Sequence, residues 1–295
     1  MQIRPPRPRR SALYVPAANE RALAKIGQLA CDCVIVDLED AVAPDEKADA
    51  RERMAAFFAG RERGAGPEMV IRINALSSEW GAQDLAAAKG CRPDAILIPK
   101  VETAGDILDV NDLLDDGDAP PGLSLWAMVE TPRAVLNIGA IAELGRDRGA
   151  RLACFVAGTN DLVKDTRVRP GPGRGLLTPW LMQIVLAARA GGLDALDGVV
   201  NDFTDLDAFA AECAQGCDMG FDGKTLIHPA QIGPANAAFS PSPDEVEDAL
   251  AIRAAFALPE NGDRGVISLD GRMVERLHLE QAERLLAKAG LKETK

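Results

Sequence analysis

Short apolar runs alternate with segments of helical periodicity along the first 240 residues. The runs fall at residues 12–16, 33–38, 69–73, 95–98, 123–129, 152–157, 195–200 and 219–221. Their near-continuous apolarity suits strands buried on both faces, as in a parallel sheet. Apolar residues at helical spacing occupy 20–29, 45–58, 179–190 and 205–214. Asp45 before Glu46 and Thr178 before Pro179 mark helix starts. Strand–helix alternation repeated eight times predicts an α/β fold, a (β/α)8 TIM barrel over residues 11–238. A doubly wound open sheet is the competing arrangement, but no G-x-G-x-x-G follows the first strand. Residues 1–10, with four Arg and three Pro, read as a basic, solvated N-terminal arm. Residues 239–295 exceed what the barrel needs. A Ser-Pro-Ser-Pro run, a helix at 244–257, a glycine-rich turn and a helix at 273–289 predict a C-terminal helical extension. It has two places to pack, its own barrel or a neighbouring subunit.

Composition then narrows the chemistry. Acidic residues outnumber basic ones 45 to 33, for a formal net charge of −12. Such a field repels nucleic acid and anionic membranes. No stretch approaches 18 uninterrupted apolar residues and no apolar signal region follows the initial arginines, so a cytoplasmic protein without a membrane partner is expected. With only two histidines, His228 and His278, a His-rich zinc site is excluded and a Ser-His-Asp triad disfavoured. Twelve aromatics leave the core to Ala, Leu, Val and Ile. The six cysteines lack C-x-x-C spacing and read as reduced and buried; Cys31 and Cys33, entering an apolar strand, fit that better than a redox pair.

Barrel enzymes carry catalysis at the C-terminal ends of their strands. Residues just after the apolar runs are Glu39 and Asp40, Arg72 and Asn74, Lys100 and Glu102, Glu130, Asn160 and Asp161, Asp202, then Lys224 and His228. Singly, each suits a rim salt bridge or a helix cap; together they place acids and bases on one rim. Glu130 and Asp161 follow adjacent strands and form the best metal pair, because two carboxylates leave positions for waters and a bidentate substrate, as Mg²⁺ favours. Residues 169–175 (RPGPGRG) hold three glycines and two arginines but no Lys-Ser/Thr of a phosphate loop. They read as a mobile rim loop, with an anion contact as the less favoured alternative.

Several segments in order carry a resemblance: residues 10–16 (RSALYVP), 37–42 (DLEDAV) with Lys47, 71–74 (IRIN), 99–102 (PKVE), 130–132 (ETP), 158–162 (GTNDL), 220–224 (GFDGK) and 227–229 (IHP). The chain resembles the citrate lyase β-subunit-like acyl-CoA lyases of the HpcH/HpaI aldolase superfamily over residues 10–289. That resemblance implies a Mg²⁺-dependent TIM barrel, trimeric or hexameric. It implies Glu130 and Asp161 as metal ligands, Arg72 on the substrate carboxylate or carbonyl, and Tyr14, Arg21, Lys25, Ile227 and His228 around an acyl-CoA. Arg21 and Lys25, four apart on a helix, also suit a solvated basic face. The C-terminal signature of the group is similar to Gly-Lys-Met-Ile-Asp, whose acid reaches a neighbouring active site. Here residues 271–275 read GRMVE, so Glu275 stands for the aspartate with one more methylene, and Ala17 stands where a glycine is common.

The expected reaction is a reversible Claisen cleavage of a citryl-, malyl- or citramalyl-type 3-hydroxyacyl-CoA to an acyl-CoA and a 2-oxo acid. Arg72 stabilises the oxygen charge, and Glu275 exchanges the proton on carbon. The competing expectations are a thioesterase using the same metal site, a retro-aldolase acting on free hydroxy-oxo acids, and a non-catalytic binding subunit. The sequence does not select the acyl group, nor CoA over a protein-bound thioester.

Overall fold

The structure, a computed structural model, describes residues 8–61, 64, 66–117, 119–120 and 122–291. The chain divides into two compact units, one spanning Arg9–Phe239 and the other built from residue 240 onward.

In the first unit, strands and helices alternate as the apolar pattern requires. The order is β1 (Ser11–Pro16), α1 (Glu20–Lys25), β2 (Cys33–Asp37), α2 (Lys47–Ala59), β3 (Glu68–Arg72), α3 (Gly81–Cys91), β4 (Ala95–Ile98), α4 (Ala104–Asp115) and β5 (Ser124–Val129). It continues through α5 (Pro132–Ala142), β6 (Leu152–Ala157), α6 (Thr159–Thr166), α7 (Thr178–Gly191), β7 (Asp194–Asp197), α8 (Leu206–Asp218), β8 (Gly223–Leu226) and α9 (Ile232–Ala238). Among the described residues, β1 to β8 form a closed barrel in chain order, each pair parallel, with β8 returning to β1. This is a (β/α)8 TIM barrel. Alternate strand residues separate into two apolar layers. Ala12, Ile35, Val70, Leu97, Trp126 and Val156 pack within the barrel. Val34, Val36, Ile71, Ile96 and Phe155 pack among the helices.

The eighth strand differs from expectation. Met219–Phe221 belongs to the end of α8 and to a turn through Gly220, whose φ of 94° ends the helix. The strand is Gly223–Leu226, polar in sequence because its partners are polar. Lys224, fully buried, donates to Asp197 and Glu212, each at 2.8 Å, and Thr225 Oγ1 donates to the Asp197 carbonyl. The seventh strand likewise ends at Asp197 rather than at residue 200.

The expected solvated arm also ends earlier. Its first seven residues lie outside the described ones, while Arg9 and Arg10 are tethered. Arg9 pairs with both oxygens of Glu68 at 2.8 Å, with Asp194 at 2.6 Å, and lies 4.8 Å over the Trp126 ring. Arg10 makes a two-point pair with Asp32 at 2.8 Å. Burial raises the thiol pKa values of Cys31 and Cys33, which disfavours the thiolates a redox pair would use. Against the expectation of buried cysteines, Cys217 is exposed and Cys91 partly so.

The second unit packs α10 (Pro243–Ala257) and α11 (Arg276–Lys288) around Ile252, Phe256, Ile267, Val274 and Leu286. Between them stands a hairpin, β9 (Val266–Leu269) and β10 (Arg272–Glu275), where sequence reading placed only a turn and the beginning of a helix. Its two-residue loop, Asp270-Gly271, has both φ values positive (50° and 78°), the conformation that lets tight hairpins follow strand twist. No described helix is long and apolar enough to cross a membrane.

Candidate active site

The C-terminal strand ends assemble a carboxylate-rich mouth around one guanidinium. Arg72, last residue of β3, donates from Nε and Nη2 to the two oxygens of Asp37 at 2.7 and 2.6 Å. Its Nη1 lies 2.8 Å from Glu39 Oε2 and 3.2 Å from Asp40 Oδ2. The guanidinium sits 4.8 Å over the Tyr14 ring and also contacts Met128 Sδ at 3.9 Å. A two-point arginine–carboxylate pair fixes the plane of the fork, so Arg72 is held in one orientation before any ligand arrives. Asp37 was missed by sequence reading; the available signal was a charge closing an otherwise apolar strand.

The loop bearing Glu39 and Asp40 is braced from behind. Lys47 Nζ donates to the carbonyls of Leu38 and Glu39, both at 2.7 Å, and to Asn74 Oδ1 at 3.0 Å. Asn74 therefore faces the helical layer, tied also to Asp84, rather than the mouth.

Glu130 follows β5 and is fully buried. Its Oε1 accepts the Lys100 amide at 2.7 Å, while Oε2 is buried without a hydrogen-bond partner. Burial first, then the neighbouring Glu39 and Asp161, push its pKa up to about 7. Asp161 stands in the first turn of α6, with Lys164 3.5 Å away. Glu39 is likewise raised, by burial and against the pull of Arg72, and Lys100 Nζ donates to its Oε1 at 2.8 Å. A desolvated carboxylate oxygen with no partner, a second carboxylate coupled to it, and an excess of acids over cations fit a hard divalent ion held by Glu130 and Asp161. No cluster of three His, Cys, Asp or Glu residues able to hold a metal occurs among the described residues.

Gly158, also missed from sequence, makes room for this arrangement: a Cβ there would overlap Glu130 Cβ and stand 2.9 Å from Oε2. Gly158→Ala is therefore expected to lower kcat/KM about 10²-fold through misplacement of Glu130. A Mg²⁺ titration should weaken in parallel; an unchanged titration would remove the contact from the site.

The other expected residues divide. His228 stacks on Phe203 at 4.6 Å and caps the following turn by accepting the Ala230 amide at 3.2 Å. Ile227 beside it is 39% exposed. Asn160 and Asn201 exchange amide hydrogen bonds at 3.2 and 3.0 Å between the β6 and β7 ends. Arg21 and Lys25 are exposed on α1 and make no ion pair with a described residue. Glu102 pairs loosely with Arg133 at 3.3 Å, and Asp202 caps its own turn at Thr204.

Two expectations are corrected. Lys224 is not a rim residue: it points outward into a cluster with Asp197 and Glu212. In the 169–175 loop, Arg174 is buried and bound by both Nη atoms to Asp197 at 2.7 Å, so it has no fork left for an anion. Glu275 lies in the second unit, where it caps α11: its side chain accepts an amide of the first turn, and His278 Nδ1 accepts its own amide at 2.9 Å.

With this geometry in view, similarity to known proteins is extensive. The HpcH/HpaI aldolase/citrate lyase family matches residues 10–229. A (3S)-malyl-CoA thioesterase of Cereibacter sphaeroides is 47% identical over 282 residues, 96% of this chain and 95% of that one. Citrate lyase subunit beta of Escherichia coli is 33% identical, covering 99% and 96%. A crystal structure of protein CitE from Mycobacterium tuberculosis, in complex with magnesium, acetoacetate and coenzyme A, superposes with a TM-score of 0.77 at 30% identity, covering 95% and 97%. Eight parallel strands, a rim of paired carboxylates around one arginine, and a match over most of the chain have one common description: the chain belongs to the HpcH/HpaI aldolase/citrate lyase family.

Proposed function

We propose that this chain is a Mg²⁺-dependent carbon–carbon lyase that cleaves, or forms, a 3-hydroxyacyl-CoA of the citryl, malyl or citramalyl type, yielding an acyl-CoA and a 2-oxo acid. The observation that carries the reading is the buried, unpartnered Glu130 Oε2 coupled to Asp161 beside a preoriented Arg72. Mg²⁺ held by Glu130 and Asp161 supplies Lewis-acid polarisation of the reacting oxygen and a template for the adjacent carboxylate. Arg72 stabilises charge on that oxygen as the C2–C3 bond breaks. The hydroxyl proton passes to solvent water, C3 becomes the carbonyl carbon, and the electron pair of the broken C2–C3 bond stays on C2, which then takes up a proton. Glu275 of a neighbouring copy, in a homotrimer or hexamer, exchanges the proton at C2. Tyr14, Arg21, Lys25, Ile227 and His228 hold the thioester.

Thioester hydrolysis at the same site is the second reading, favoured by the relative named (3S)-malyl-CoA thioesterase. The two differ in products. With malyl-CoA and Mg²⁺, the lyase releases glyoxylate and acetyl-CoA, whereas hydrolysis releases malate and free CoA. Glyoxylate without free CoA, lost on chelation of Mg²⁺, is the expected outcome; malate with free CoA overturns the lyase assignment. In deuterated water the wild-type chain should also exchange the acetyl-CoA methyl protons, and Glu275→Gln should not. Undiminished exchange in that variant removes Glu275 from the reaction.

A further inference from the structure

Lys100, directly after β4, has a left-handed backbone, with φ of 51°. That conformation lets one residue address two carboxylates: its amide reaches Glu130 Oε1 at 2.7 Å and its ammonium Glu39 Oε1 at 2.8 Å. If only the amide mattered, glycine would adopt this backbone without the steric penalty a side chain incurs there. A lysine held at that cost points to a use for its ammonium. Neutralising Glu39 does not exhaust it, because Arg72 Nη1 already lies 2.8 Å from the other oxygen of Glu39. An ammonium carries three donors, and Lys100 gives one to Glu39.

The two cations of this cluster are therefore unequally available. Arg72 is 7% exposed, with its fork on Asp37 and its remaining face on Glu39 and Asp40. The Lys100 side chain is 43% exposed. Lys164, by contrast, is 74% exposed on the last turn of α6, where solvent screens it.

We propose that Lys100 is a substrate-binding residue whose uncommitted ammonium donors receive the carboxylate of the 2-oxo acid, with Glu39 setting the direction of the side chain. This rests on the reading of the site given above and names which cation the oxo acid meets in addition to Arg72. Recognition is of a small 2-oxo carboxylate, with the thioester held elsewhere.

Calorimetric titration of the Mg²⁺-loaded full chain with glyoxylate and with pyruvate tests it. Lys100→Met, which keeps the length and removes the charge, is expected to weaken binding of both about tenfold or more, the scale of one charged hydrogen bond. Lys100→Gly should lose as much although its backbone is relaxed, and Lys100→Arg should recover most of the affinity. Mn²⁺ affinity, read by electron paramagnetic resonance, should stay constant or tighten in Lys100→Met, since a positive charge beside Glu130 has been removed; CoA affinity should not change. Oxo-acid binding within twofold of wild type in Lys100→Met overturns the proposal. So does an equal loss of Mn²⁺ affinity, because Lys100 would then act only by shaping the carboxylates. A wild-type chain that binds neither Mn²⁺ nor CoA would instead sink the functional reading itself.

Discussion

Glu130→Gln is expected to lower turnover by about 10³-fold or more, since an ion of this kind contributes several kcal/mol to the transition state. The substitution keeps the shape of the side chain and the acceptor for the Lys100 amide, but replaces the unpartnered oxygen with an amide nitrogen that binds no cation. Stability should move the other way. Because burial raises the folded pKa of Glu130 from its ordinary 4.5 to about 7, the folded chain holds this proton longer than the unfolded one. Its ionisation therefore removes stability as pH rises across that window, and the metal-free Gln variant should melt no lower than wild type at pH 8. What it should lose is the Mg²⁺-induced rise in melting temperature, which for wild type at a hundredfold excess over Kd reflects a stabilisation of about 2.7 kcal/mol. A Gln variant that keeps both turnover and the Mg²⁺ shift would displace Glu130 from the metal site.

Asp197→Asn is expected to destabilise the barrel by about 3–5 kcal/mol, the scale of breaking a buried ion cluster from one side. Asp197 has no exposure and is bound by Arg174 at 2.7 Å and Lys224 at 2.8 Å. Burial alone would raise its pKa, but Lys224 and Arg174 outweigh burial and hold it below the ordinary carboxylate value. Asparagine would leave the fully buried Lys224 and the buried Arg174 with Glu212 as their remaining carboxylate. The sign of the pH dependence follows. A depressed pKa adds stability above about 3.8 that is lost at lower pH, so the gap between wild type and variant should narrow on acidification. Chemical denaturation at pH 7 and pH 3 measures it; a gap under 1 kcal/mol at pH 7, below the scale expected for such a cluster, would mean that the cluster is replaceable.

Much of the barrel was legible because buried parallel strands announce themselves by apolarity. Seven strands lie within or across the expected runs. The eighth does not, since the Gly223–Leu226 strand carries a lysine whose charge is matched, among the described residues, by ones 12 and 27 positions away. Long-range pairing of that kind leaves no local pattern. The same reason placed Lys224 and Asn74 on the rim: sequence position near a strand end does not say which way a side chain faces. The places of Glu130 after β5 and of Asp161 at the start of α6 were readable from strand order. Asp37 and Gly158 were not, because one acts through an arginine 35 residues away and the other through the absence of a side chain. The hairpin of the second unit had its own signal in Asp270-Gly271, overlooked because the flanking strands are only four residues long.

The ion pairs of Arg9 carry a consequence for the order in which the barrel is made. Arg9 is joined to Glu68 across 59 residues and to Asp194 across 185. The longer closure costs about 1 kcal/mol more in chain entropy by logarithmic scaling. During synthesis it must also wait for most of the unit to emerge. The Glu68 pair requires only the first three strands to be in place. The Asp194 pair forms only when the seventh strand arrives, which makes Arg9 a late fastener of the ring rather than a seed for it.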